Sequence, residues 1–152
     1  MYFTLRQLEA ELQKVVTVTT TEIEMREGHS CKGQYVHRDS NGHAFMWGPT
    51  PVRYAFHDVE TPAEADHLMF LCPACFARNN GPVGTHSVMV TFAGRNVPDE
   101  AGTRGADGKP TRWSMSGTSL DDLVLTPSIL LYEGCAWHGF VGSSGIPPGH
   151  AG

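Results

Sequence analysis

Two short stretches of the chain each carry a pair of side chains that can bind a metal ion. The first is Cys72-Pro-Ala-Cys75, and the second is Cys135-Ala-Trp-His138. Two residues between the ligands let both side chains of a tight turn point at one ion, and two such turns supply the four tetrahedral ligands of a closed structural zinc site. The spacing therefore predicts Zn²⁺ bound by Cys72, Cys75, Cys135 and His138.

The first pair also has a redox interpretation. In thioredoxin-like proteins the first cysteine of a C-x-x-C pair begins a long helix, whose N-terminus activates the thiol. The stretch "LTPSILLYEG" resembles the strand that a proline opens beside that pair. However, Asn79-Asn80-Gly81-Pro82 is expected to end any helix within about one turn of Cys75. A redox pair, or unrelated buried cysteines, are therefore alternatives to the zinc site.

His86 keeps a catalytic zinc site among the alternatives. Such a site has three protein ligands and a water molecule. His86 follows Cys75 closely and shares the apolar face of a predicted strand with Val88 and Val90. It is therefore a substitute ligand, a base behind the ligands, or a histidine at the core edge bonded to the backbone. We expect the other candidate histidines on surfaces and hairpins: His29, His37, His43, His57 and His67.

Two aromatic residues flank His138. Trp137 and Phe140 suit a hydrophobic wall that keeps water from the metal, and they also suit an exposed patch that binds a partner.

Glu133 is the carboxylate nearest to the second pair, so it is the candidate acid or base of a catalytic site. Cys31 stands alone between Gly28 and Gly33, which indicates a spare thiol.

The elements that carry these pairs are predicted to be strands. "HLMFL" runs directly into Cys72, "GTHSVMVTF" follows, and "SILLYE" runs into the second pair. Upstream, the β-branched run "VVTVTTTEIEM" predicts a strand over residues 15–25, and Asn41-Gly42 between two β-prone runs predicts a hairpin with a two-residue turn. Residues 94–112 have no periodicity and predict a mobile loop.

One helix is predicted at the N-terminus. Thr4 and Gln7 have the spacing of a capping box, in which each side chain bonds the other residue's backbone N–H. Four apolar residues then recur at helical intervals: Leu5, Leu8, Leu12 and Val15. The pattern predicts a short helix over about residues 5–14 that packs on the core.

Composition limits the classes of function. The chain has 152 residues, 17 of them Gly and 10 Pro, which favours one domain of short elements joined by many turns. The net charge of −5 argues against a nucleic-acid-binding protein, which normally has a basic face. No apolar run approaches the length of a membrane span and no leader is evident, so we expect neither secretion nor membrane insertion.

Three stretches together resemble one family. "FLCPACFARNNGPVGTHSVMVTF", "RWSMSGTSLDDLVLTPSILL" and "GCAWHGFVG" resemble small phage and prophage proteins of unknown function, some of which have been labelled ammonia monooxygenase. The resemblance covers the chain from about Phe70 onward. It implies a metal-binding protein of a tailed phage, with Cys72, Cys75, Cys135 and His138 at the metal-type positions and His86 at the histidine after the first pair. It supplies no reaction.

The sequence thus predicts an α+β, β-rich single domain over residues 1–152, with residues 1–67 as its helix and hairpin part and residues 68–152 as a zinc-ribbon-like part. We expect structural zinc and a function in binding a phage or host protein, in the host cytoplasm or the virion, with homo-oligomerisation also open. A zinc-dependent hydrolase with an open metal position near His86 is the alternative, and a redox protein using Cys72 and Cys75 is the second.

Overall fold

A computed structural model describes residues 2–22, 35–48, 51–131, 136–142 and 145–148. By internal contacts the chain divides into two compact units, residues 1–14 with 58–152, and residues 15–57. The strands are β1 (Glu11–Thr17), β2 (Thr19–Glu22), β3 (Tyr35–Arg38), β4 (Ala44–Gly48), β5 (Tyr54–Val59), β6 (His67–Leu71), β7 (Ser87–Thr91), β8 (Ser114–Ser116), β9 (Val124–Thr126), β10 (Ile129–Leu130) and β11 (His138–Gly139). The α-helix of the described ranges is α1 (Pro73–Asn79), and Asp99–Ala101 form one turn of 3₁₀ helix.

The main sheet has the strand order β5-β1-β6-β7. β6 pairs antiparallel with both β1 and β7, and two further antiparallel pairs, β8 with β9 and β10 with β11, lie in the first unit. The predicted β-rich architecture of antiparallel strands is therefore confirmed. On one face of β6 and β7, Phe70 and Val90 are buried, and the Phe70 and Trp137 rings form a T-shaped pair at a centroid distance of 6.0 Å.

The predicted N-terminal helix is wrong beyond its first turn. The capping box does form, because the Thr4 N–H donates to Gln7 Oε1 at 2.8 Å and the Gln7 N–H donates to Thr4 Oγ1 at 3.1 Å. Glu9 then adopts a left-handed φ of 53°, which ends the turn, and β1 begins at Glu11. Leu12 lies opposite Leu68 in the sheet. Pairing with β6 buries the same leucine that a helix would have buried, and it also satisfies the backbone of β1.

The α-helix follows β6 directly, with Pro73 in its first turn. It ends at Asn79 because Asn80 takes a left-handed φ of 53°. The Gly81 N–H then donates to the Phe76 carbonyl at 3.1 Å, which closes the C-terminal turn. The early end that the sequence predicts for a helix after Cys75 is confirmed.

The second unit contains a three-stranded antiparallel sheet in the order β2-β3-β4. β3 and β4 form the predicted hairpin around Asn41-Gly42, but the connection spans residues 39–43. Asp39 organises it, because its Oδ1 accepts the N–H groups of Asn41 and His43, both at 2.9 Å. Gly42 has a positive φ of 83°, whereas the φ of Asn41 is not positive. The turn is therefore not the two-residue type that the sequence predicts.

The segment 94–112 is tied to the sheet by three threonine hydroxyls. Thr91 is fully buried, and its Oγ1 accepts the Thr103 N–H at 2.9 Å. The Thr111 hydroxyl donates to Thr103 Oγ1 at 3.0 Å, and the Thr111 N–H donates to the Thr103 carbonyl at 2.9 Å. These bonds fold residues 103–111 back on themselves beside β7.

Length and hydropathy of the helices bear on membrane insertion. Over the ranges that the structure describes, no helix has both the length and the apolar character required to cross a membrane.

Candidate metal centre

Cys72 and His86 face each other across the end of the β6–β7 pair. The register Phe70↔Val88 and Leu71↔Ser87 leads directly to them, and the Cys72 N–H donates to the His86 carbonyl at 2.8 Å. Opposed residues of an antiparallel pair project their side chains from the same face of the sheet. The register therefore places the Cys72 thiol beside the His86 ring.

Cys75 joins them through the first turn of α1. Cys72 is the N-cap residue of the helix, and side chains three positions apart at a helix start lie on one side of it. The ligand atoms of Cys72, Cys75 and His86 all lie within 4.8 Å of one another. In a tetrahedral zinc site, Zn–S bonds of about 2.3 Å and Zn–N bonds of about 2.0 Å separate the ligand atoms by roughly 3.3–3.8 Å. This Cys/Cys/His group could thus hold a metal ion.

The three ligands differ in their access to solvent. The residues Cys72 and Cys75 are 0% and 9% exposed and belong to the hydrophobic core, and both carry thiols rather than a disulfide. His86 is exposed. An ion held here would have its sulfur side in a dry environment, which protects thiolate–metal bonds, and its imidazole side toward water.

Two neighbouring groups are placed to orient these ligands. His86 Nδ1 lies 3.3 Å from the carbonyl oxygen of Ser87, and a ring that donates from Nδ1 leaves the Nε2 lone pair for a metal. Arg78 Nη2 donates to Cys75 Sγ at 3.4 Å. Hydrogen bonds of both kinds are typical of residues that surround a metal site.

Of the second predicted ligand pair, Cys135 and His138, the structure describes only His138. His138 is described, and its Nε2 lies 3.0 Å from Ser128 Oγ across the β10–β11 pair. It is not part of the group in which all ligand atoms lie within 4.8 Å of one another. Cys135, like Glu133 and Cys31, lies outside the described residues. The four-ligand set of Cys72, Cys75, Cys135 and His138 stays a prediction.

The two aromatic residues that flank His138 have opposite environments. Trp137 is 0% exposed and its Nε1 donates to the Pro147 carbonyl at 3.1 Å. Phe140 is 60% exposed. Trp137 therefore serves the core and presents no surface to a partner, whereas Phe140 does present one.

A cleft of about 710 Å³ opens beside the metal group, and we name it the β7 cleft. Its lining includes residues 86–89 before and within β7, residues 127–131 around β10, and Arg104, Arg112 and Trp113. Its lining, which lies wholly within described parts of the chain, includes no Asp or Glu. The volume falls in the range of about 300–1,000 Å³ that is typical of small-molecule sites.

Two of the histidines expected on surfaces or hairpins are buried. His37 is 1% exposed, and its Nδ1 lies 3.0 Å from Thr20 Oγ1. His67 is 0% exposed, and its Nδ1 lies 2.6 Å from Asp66 Oδ1. Buried imidazoles with polar neighbours are ordinary core residues. His37 does lie in the β3–β4 hairpin, as expected. The expectation is wrong for His67, which lies on β6 next to the equally buried Leu68, and alternation does not reveal a covered second face.

Comparison of the chain with protein-family models, with curated proteins and with solved structures gives no significant match.

Proposed function

We propose that the protein binds zinc through Cys72, Cys75 and His86, and that the ion serves to fasten α1 to the start of β7. The observation that carries the proposal is the mutual distance of at most 4.8 Å among the three ligand atoms. Two thiolates and an imidazole are a donor set that favours zinc over the harder ions magnesium and calcium. In a closed structural site the fourth position belongs to Cys135 or to His138.

The zinc in this proposal is structural, and the protein acts by binding another protein. Two features of the β7 cleft support a binding role over catalysis. Among the described residues its lining contains no carboxylate that would act as a general base beside the metal, and Leu130, at its wall, is 56% exposed. The resemblance to phage proteins adds the expectation of a phage or host protein as the partner.

Metal stoichiometry tests the proposal directly. Protein purified without chelator should contain about one zinc ion per chain by elemental mass spectrometry, the stoichiometry expected of a single structural site. Cys72→Ser, Cys75→Ser and His86→Ala should each lower that content, and Cys31→Ser serves as the matched cysteine control. Cys135→Ser and His138→Ala identify the fourth ligand.

Two results would contradict this ligand set. Full zinc content in His86→Ala together with loss in His138→Ala would restore the set of Cys72, Cys75, Cys135 and His138. Metal-free protein in which Cys72 and Cys75 cycle reversibly between dithiol and disulfide against glutathione would establish the redox alternative.

A zinc-dependent hydrolase is the second candidate, and one observation favours it. His86 both belongs to the metal group and lines the β7 cleft. A ligand of the cleft would therefore lie next to any open metal position. Cobalt-substituted protein distinguishes the two roles: azide should shift the visible spectrum only if one coordination position is exchangeable. An unchanged spectrum with four protein ligands by X-ray absorption supports the structural role.

A further inference from the structure

We infer that the β7 cleft binds an extended acidic peptide, which adds a strand to the outer edge of β7, where no strand of the described ranges pairs along Ser87–Met89. This inference rests on the proposed interaction function and gives it a location and a partner chemistry. The first observation is topological, because β7 is the last strand in the order β5-β1-β6-β7.

The hydrogen-bond register decides which backbone groups of β7 face the cleft. The Cys72 N–H bonds the His86 carbonyl and the Phe92 N–H bonds the Asp66 carbonyl, both at 2.8 Å. In an antiparallel pair, alternate residues direct both backbone groups toward the same neighbour. Even-numbered residues of β7 therefore bond β6, and the N–H and C=O groups of Ser87 and Met89 point away from it.

Farther along β7, Trp113 of the same chain already pairs with this edge. The Trp113 N–H donates to the Thr91 carbonyl at 2.9 Å, and the Ala93 N–H donates to the Trp113 carbonyl at 2.8 Å. Thr91 has the same parity as Met89, so the Met89 groups two residues earlier have the orientation that a paired strand requires. The Ser87 N–H, four residues earlier, has it too, whereas the Ser87 carbonyl already lies 3.3 Å from His86 Nδ1. Backbone pairing of this kind gives affinity in peptide recognition by strand addition, and alternate side chains give specificity.

Charge determines the kind of peptide. Arg104 and Arg112 line the cleft, and its described lining residues include no carboxylate, although the net charge of the chain is −5. Arg112 is held in place: its Nη1 donates to the carbonyls of Thr103 and Thr111, and its Nη2 lies 3.6 Å from Asp99 Oδ1. Arg104 donates from Nη1 to the Gly108 carbonyl at 3.2 Å. Acidic side chains of a bound strand would meet this basic wall, and apolar ones would meet Trp113 and Leu130.

A displayed library of random peptides, selected on the zinc-loaded full-length protein, tests the inference. We expect enriched sequences that alternate apolar and acidic residues, and protection of the Met89 amide from hydrogen exchange on binding. Met89→Pro removes that amide without removing a bond to β6, and it should weaken binding about tenfold relative to Met89→Ala. Arg104→Glu should weaken binding more than Lys109→Glu, a matched charge reversal on the same segment.

The outcomes of these experiments distinguish the peptide site at β7 from the more general proposal that the protein binds another protein. Selected peptides that bind Met89→Pro and Met89→Ala equally, or that leave the Met89 amide unprotected, would overturn strand addition at β7 while leaving a protein-binding function in place. No enrichment on the folded, zinc-loaded protein would overturn the peptide site. Zinc stoichiometry is measured independently of both results. Should Met89→Pro fail to fold, the Arg104→Glu comparison and the exchange measurement on the wild-type protein still decide.

Discussion

The backbone N–H of Cys72 donates a hydrogen bond to the carbonyl oxygen of His86 at 2.8 Å. These residues are 14 positions apart in the sequence, and this bond extends the β6–β7 ladder to the point where Cys72 caps α1. A candidate metal ligand directly before a strand and another at a helix N-terminus thereby become neighbours. The site is thus built on regular elements, which hold side chains more accurately than loops do.

The contact of Arg78 with Cys75 predicts an effect on metal affinity. Arg78→Met removes the donor that lies 3.4 Å from Cys75 Sγ and keeps the length of the side chain. We expect zinc affinity to fall about tenfold, as is typical when a group that bonds a metal ligand is removed. Competition with a chromophoric chelator measures the change. Arg38→Met, which removes a bond to the Gly42 carbonyl, is the control; equal affinities in the two variants would show that Arg78 has no influence on the site.

Gly139 is required by the packing of Trp137. A Cβ atom added at Gly139 would lie 2.7 Å from Cζ2 of the Trp137 ring, closer than real Cβ contacts come. Gly139→Ala should therefore destabilise the protein by about 1–3 kcal/mol through overpacking, which lowers the melting temperature by several degrees. Gly142→Ala is the matched control, since an added Cβ there meets nothing within 4 Å. Calorimetry that finds the two variants equally stable would contradict the packing argument.

Replacing Thr91 by valine should lower the stability of the protein although the volume of the side chain hardly changes. Thr91→Val keeps the shape of the side chain but leaves the Thr103 N–H without the oxygen that it contacts at 2.9 Å. We expect a loss of about 1–3 kcal/mol in urea unfolding, together with faster hydrogen exchange of the Thr103 amide. Thr17→Val, at an exposed position of β1, should change stability by no more than about 0.5 kcal/mol. An unchanged exchange rate at Thr103 would mean that the hydroxyl does not order the segment.

The ion pair between Arg6 and Asp121 should make the stability of the protein depend on pH. The hydrogen bond and charge of Arg6, at 2.6 Å from Asp121 Oδ1, hold the pKa of that carboxyl below its ordinary value. A carboxyl whose pKa is lower in the folded state stabilises the protein above its unfolded pKa of about 3.9, and this contribution is lost as the pH falls through the folded pKa.

A double-mutant cycle of Arg6→Met and Asp121→Asn measures the coupling. It should be detectable at pH 7 in low salt, absent at pH 2, and weaker in 1 M salt because both groups are exposed. Coupling that persists unchanged at pH 2 would show that the two side chains interact by something other than charge.

The sequence predicted best where local chemistry decides the structure. The capping box at Thr4 and Gln7 forms, the helix after Cys75 ends at Asn79, and β6 runs directly into Cys72. Each of these features depends on residues within a few positions of one another. The failures have another origin: the N-terminal turn gives way to β1 because β6, more than 50 positions away, pairs with it.

For the candidate site, the sequence by itself identified the chemistry. Cys72, Cys75 and His86 were all recognisable as candidate metal ligands from their residue types and from the alternation of the strand that follows. Only the tertiary structure decided that the three belong together, because their proximity depends on the antiparallel register of β6 and β7, which no local pattern encodes. The same register decides that Ser87 and Met89 present their backbone groups to the β7 cleft, since the direction of a strand's free groups is a property of the pairing and not of the residues.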